Sequence, residues 1–139
     1  MPSTMRFAAI VCAVVAMTAC KTTEDYRIRH HVSDAINLLS KSKVWATEHF
    51  LQYRKMPASN AELHLPEPNT FVTASIKRLE VLPDGSLMAT LQDASGYKDA
   101  TIRFIPEASN FYVGSQWTCV SAEIADISTW LSNCHYRPR

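Results

Sequence analysis

Apolar and polar positions change period once along this chain, from a helical repeat to an alternating one. In "EDYRIRHHVSDAINLLSKSKVWATEHFLQYRK", residues 24–55, apolar side chains recur three or four apart at Ile28, Val32, Ala35, Ile36, Leu39, Ala46, Phe50 and Tyr53. That spacing draws one stripe along a helix, and Arg29, Asp34, Lys41 and Glu48 lie on the opposite face. Thr22 with Asp25 three positions later predicts the N-terminal cap. Pro57 predicts the stop, because proline cannot continue the ladder and restricts the residue before it. At 1.5 Å per residue the helix would be about 48 Å long, more than the width of so small a globule, so one end is expected to project.

After a proline-rich connector, "MPASNAELHLPEPN", the period falls to two. "FVTASIKRLEVL" alternates through Val72, Ala74 and Ile76, and "LMATLQD" returns through Leu87, Ala89 and Leu91. "PDGS" between them is a hairpin turn, in which proline fixes φ and Gly85 accepts a positive one. "ASGYKD" turns again, "ATIRFIP" is a third strand and "FYVGSQWTCV" a fourth. The fold class is therefore α+β: a long N-terminal helix packed on a four-stranded antiparallel sheet.

The N-terminus follows another rule. "MRFAAIVCAVVAMTAC" carries one positive charge, Arg6, and then runs apolar over residues 7–19, too short to span a bilayer but suited to the h-region of a signal peptide. Its end, "MTAC", resembles the lipobox of bacterial lipoproteins, with Met17 where that family usually has leucine. The resemblance implies cleavage before Cys20 and a diacylglycerol on its thiol, with palmitate among the acyl chains. Lys21 after the cysteine implies sorting to the outer membrane. The expected division is a signal peptide at 1–19, a lipidated tether at 20–25 and one domain at 26–139.

Export decides the cysteines. Of four, Cys12 departs with the signal and Cys20 is acylated, which leaves Cys119 and Cys134 as a pair in an oxidising compartment. Loss of Arg6 leaves 13 basic against 13 acidic side chains, so net charge calls for neither nucleic acid nor an acidic partner.

A long helix, an antiparallel meander and "YVGSQWTCVSAEIADISTWLSNCHYR" together resemble the globular domain of type IV pilins. In that family a strand ending in Trp-x-Cys, a variable stretch and a final cysteine bound the D-region, a surface loop implicated in subunit contacts and adhesion. "KMPASNAEL" is similar to the helix exit of pilins, where the αβ-loop begins. The departures bear on function. Pilins carry a glycine before the peptidase cut, then an apolar helix of about twenty residues with glutamate at its fifth position. Here the glycines are Gly85, Gly96 and Gly114, and the first glutamate is Glu24. The resemblance thus implies a pilin-like domain held at a membrane by lipid.

Within the Cys119–Cys134 loop, Ile124, Ile127 and Leu131 recur at helical spacing and would turn inward on a short helix. Trp130 then lies about 100° from Leu131, partly exposed, and with Glu123 and Asp126 forms the candidate interaction surface. The same spacing suits a loop that serves the fold alone. Other candidates are weaker. His30 and His31 point about 100° apart on a helix, with no acidic partner evident in the linear sequence, and read as a solvated tether rather than a metal site. His64 sits in a loop. Lys77, Arg78 and Arg103 read as a solvated strand face rather than a DNA patch, and Trp45, Trp117 and Trp130 as packing. No catalytic motif, metal site or cofactor fingerprint is present, and no enzyme is expected. Two function classes follow: an interaction module acting with or against type IV pili or related secretion machinery, or in surface adhesion; and a periplasmic binding or inhibitor lipoprotein that reuses the fold. DNA capture is a third reading.

Overall fold

A single helix, α1 (Ser3–Tyr53), opens the chain and carries its apolar stripe onto a sheet. The computed structural model describes residues 3–107 and 116–139, and side chains from residue 23 onward except at 94. At 51 residues α1 is about 77 Å long. It runs through Thr22 without a break, so the predicted cap lies inside the helix of the full chain. Residues 23–27 are exposed and the first half-buried side chain is Ile28, so the N-terminal end does leave the sheet. The helix ends at Tyr53, before Pro57: Arg54 turns left-handed at φ 56° while its amide still donates to the Phe50 carbonyl.

Val32, Ala35, Leu39 and Ala46 are buried as the periodicity predicts. Burying each of the larger ones contributes about 1.5–3 kcal/mol. Ser42 joins the stripe, its hydroxyl satisfied by the Leu38 carbonyl at 3.1 Å. Tyr53 departs from expectation and is 61% exposed, because the helix has passed the sheet by that turn.

The sheet has five strands in sequence order: β1 (Ile76–Val81), β2 (Leu87–Leu91), β3 (Thr101–Pro106), β4 (Trp117–Ser121) and β5 (Cys134–Tyr136). The first four form the predicted antiparallel meander, although the beginning of the fourth predicted strand, 111–115, lies outside the described residues. β5 is an addition and pairs parallel to β4. Three residues are too few to show alternation in a sequence. Leu87 pairs with Phe104 and Ala89 with Ile102, so that one face of the sheet meets α1.

The inward phase of β1 also differs from expectation. Val72 and Ala74 are exposed and precede the strand, and Ile76, Leu79 and Val81 are its buried residues. A bulge between Ile76 and Arg78 inserts one extra residue, which reverses the alternation beyond it. At the β1–β2 turn Gly85 has φ +81°, and a Cβ there would lie 2.7 Å from the Met56 Cβ. Positive φ and the close approach of the helix exit both require glycine.

Candidate interaction site

Cys119 and Cys134 are register partners of the parallel β4–β5 pair, with Cα atoms 4.4 Å apart and a disulfide between them. The fourteen residues between turn their apolar side inward. Ser121 Oγ accepts the Ile124 amide at 3.2 Å, Ile124 and Ile127 are fully buried, and the short helix α2 (Ile127–Trp130) follows. The apolar half of the loop thus fills the end of the core, as its spacing predicts.

Of the three residues predicted to make contacts, two are engaged within the chain. Glu123 Oε2 accepts the Thr101 amide at 3.0 Å and the Thr101 hydroxyl at 2.9 Å, and its Oε1 lies 3.1 Å from Arg139. Trp130 is half-buried, edge-on to Tyr97 with ring centroids 6.4 Å apart, and lies 5.8 Å beneath the Arg29 guanidinium. Asp126 is the N-cap of α2 and is exposed; its carbonyl accepts the Thr129 amide at 2.9 Å, and its carboxylate makes no cap bond. Glu123 therefore fastens the loop to β3, and Trp130 fastens it to α1.

The basic residues on the strands are each matched to a carboxylate. Lys77 meets Asp93 and Asp99, Arg78 meets Glu80 at 2.8 Å, and Arg103 meets Asp84. Hydrogen bonding to Asp99, with help from Asp93, holds the Lys77 ammonium above its ordinary value and Asp99 below its own. Burial pushes Asp84 up, but the Ser86 amide and hydroxyl together with Arg103 outweigh it and hold the carboxyl below the usual range. The clustered basic face that DNA capture would need does not form from these three residues.

His30 and His31 are not a loose tether. His30 lies 3.2 Å from Asp34, the acidic partner that the linear sequence did not suggest. Asp34 accepts the buried Ser75 hydroxyl at 2.7 Å, and the His31 Nδ1 meets the same Ser75 oxygen at 2.9 Å. Since the Ser75 proton goes to Asp34, His31 donates. This chain of contacts pins α1 to the start of β1, so Asp34 belongs to an interface rather than to the solvated face.

A second surface lies where α1 meets the connector, the 57–69 segment that the sequence offers as the alternative contact region should the C-terminal loop not bind. Trp45, His49, Gln52 and Tyr53 form one stripe near the end of α1, facing Leu65, Pro66 and Phe71 across a groove of about 580 Å³. Trp45 is 42% exposed, which corrects its reading as packing. The connector is held in place by Asn60, whose carboxamide bonds the Pro66 carbonyl and two backbone groups of β1. Glu62 accepts the Ala58 amide at 3.0 Å and lies 3.7 Å from His49 Nε2. His49 Nδ1 meets the Lys55 carbonyl at 3.0 Å, so the helix end and the connector share one polar hinge. Among the described residues no group of three His, Cys, Asp or Glu is placed to hold a metal ion, and no helix is long and apolar enough to cross a membrane.

Residues 29–138 match the sequence model of the pilin family, described as bacterial filament proteins. No curated protein matches the chain.

Proposed function

The chain belongs to the pilin family, whose match spans 29–138, and from that premise we propose that it is a lipid-anchored, non-catalytic interaction module of the bacterial cell envelope. Its partner would be a component of type IV pili or of related secretion machinery. The family is a structural one built on protein–protein assembly, which supports a binding rather than a catalytic role. The observation that carries the anchor is "MTAC": small residues and Cys20 close a thirteen-residue apolar run, nine residues before the family match begins. A lipid on Cys20 would replace the apolar assembly helix of a filament subunit. Residues 20–25 would serve as tether, and the exposed start of α1 fits a stalk that lifts the domain from the bilayer.

Lys21 favours the outer membrane, and the Cys119–Cys134 loop, with Asp126 on its exposed side, is the first surface to consider for the partner. A second reading rests on the continuity of α1 from Ser3. If the apolar run is retained, it prolongs the helix as a filament subunit would, and the domain is polymer-forming rather than lipid-held.

One experiment separates the two. The protein is expressed in a Gram-negative host, and the mass of its N-terminal peptide is determined together with membrane partition of wild type and Cys20→Ala. A peptide that starts at an acylated Cys20, with an unprocessed or soluble variant, is the expected result. A Cys20→Ala variant that is cleaved and still membrane-bound would sink the lipid reading. Crosslinking from position 126 in intact cells then identifies the partner.

A further inference from the structure

We propose that the groove between the end of α1 and the connector receives an arginine or lysine side chain, presented with apolar neighbours by a separate protein partner. This assignment is independent of how the chain is anchored. Three aromatic rings line the groove, with Trp45 42% and Tyr53 61% exposed and Phe71 half-buried. Two carboxylates, Glu48 and Glu62, stand among them, and none of the lining side chains is a lysine or arginine. Aromatic faces attract cations through their quadrupole, and carboxylates do so by charge. Together they select a positively charged group whose flanks are apolar, and such a side chain has both parts, a charged head and an aliphatic stem.

The openness of the groove argues for a polypeptide over a small molecule. Its volume of about 580 Å³ is ample for a small ligand. With both outer rings so exposed, however, a small cation would keep much of its surface in water. A chain segment laid along the helix stripe would cover Trp45 and Tyr53 while placing its cation between Glu48 and Glu62. The walls are preformed: Asn60 ties the connector to β1, and the contacts of His49 with Lys55 and Glu62 tie it to the helix. Little ordering remains to be done on binding.

The chain's own tail, "HYRPR", has the required chemistry, with Arg137 and Arg139 beside Tyr136 and Pro138. It follows β5, at the opposite edge of the sheet from β1 and the connector, and so is badly placed to fill its own groove. Only a second copy could deliver it, and that outcome is included in the test.

The test titrates the full chain in detergent with the peptide Leu-Pro-Arg-Pro-Leu, blocked at both ends, and with its neutral citrulline counterpart, by calorimetry. The arginine peptide should bind at least tenfold more tightly than the citrulline one, and high salt should weaken it. Trp45→Ala, and separately Glu48→Gln with Glu62→Gln, should each lower affinity at least fivefold without shifting the melting temperature. Glutamine at position 62 keeps an oxygen for the Ala58 amide, so folding and binding stay separable. Equal binding of the citrulline peptide would overturn the cation assignment, and undiminished binding to the variants would overturn the location. Tetramethylammonium binding without peptide binding would make this a small-molecule site instead. Concentration-dependent self-association abolished by deleting residues 137–139 would replace the separate partner with a second copy.

Discussion

Asn60 Oδ1 lies 2.7 Å from the Val81 amide nitrogen, and Asn60 Nδ2 lies 2.9 Å from the Leu79 carbonyl oxygen. One side-chain amide therefore bonds the outer edge of β1 as a neighbouring strand would, at two groups that point the same way. The same Nδ2 reaches the Pro66 carbonyl at 2.8 Å, which draws the whole connector against the sheet edge. Replacing Asn60 with alanine leaves two buried backbone groups without partners, at roughly 1–3 kcal/mol each. Asn60→Ala should cost about 2–5 kcal/mol in urea denaturation, and Asn60→Asp, which aims a buried carboxylate oxygen at the Leu79 and Pro66 carbonyls, should cost at least as much at neutral pH. A loss below about 1 kcal/mol would mean that water replaces the amide and the edge is not sealed this way.

The disulfide closes a loop with a sequence separation of 15 and joins register partners on β4 and β5. Reduction, or Cys134→Ser, should remove about 3 kcal/mol by the chain-entropy relation, a large part of the 5–15 kcal/mol typical of a domain. Melting in the presence and absence of reductant measures it. An unchanged transition would show that Ile124 and Ile127 hold the loop without help.

Gly85→Ala should destabilise by about 1–3 kcal/mol, since the position needs positive φ and the new Cβ would meet Met56 at its own Cβ. Gly96 also has positive φ, but a Cβ there would meet the flexible end of Ile28 at 3.2 Å. Gly96→Ala should therefore cost less. Reversal of that order in a pair of melts would contradict the close approach at the helix exit.

Acid should weaken the fold through the strand carboxylates. Asp84 and Asp99 both titrate below the ordinary 3.8 in the folded chain. Groups depressed by folding contribute stability that is present above the unfolded value and lost as pH falls through the folded one. Stability should therefore decline below about pH 4, and Asp84→Asn should flatten that limb. Lys77 acts in the opposite sense: raised above 10.5, it contributes fully below that value and is lost on further alkalinisation. Its exposure keeps that contribution small. An acid limb identical in wild type and Asp84→Asn would exclude Asp84 as its source.

Charge reversal in the C-terminal loop should distinguish fold from contact. Glu123→Lys removes the acceptor for both Thr101 donors and should cost about 1–3 kcal/mol. Asp126→Lys, at an exposed position whose side chain makes no cap bond, should leave the melting temperature within a degree or two. If Asp126→Lys loses crosslinking to the partner while melting normally, the loop is the contact surface. If it keeps the partner, the contact lies elsewhere.

The helix stripe, the paired meander and the inward turn of the loop could be read from order alone, because they depend on side chains close in sequence. Val32, Ala35 and Leu39 repeat at the helical period, Leu87 and Leu91 alternate, and Ile124 and Ile127 are one helical turn apart. The cysteine pair was legible for a different reason: the expected loss of Cys12 and acylation of Cys20 would leave only Cys119 and Cys134 to join, and these are the two that the disulfide links. What the tertiary structure alone decided were relationships across long separations. The bulge that shifts the phase of β1, the parallel pairing of three-residue β5, and the amide of Asn60 at an edge nineteen residues away have no local period to announce them. Glu123 and Asp34 looked like surface groups in sequence and became fasteners, since their partners Thr101 and Ser75 arrive from other elements, while Trp130 packs edge-on to Tyr97 as its packing reading expected. The groove beside Trp45 was likewise invisible: one wall is a helix stripe and the other an aperiodic connector, and only packing brings them face to face.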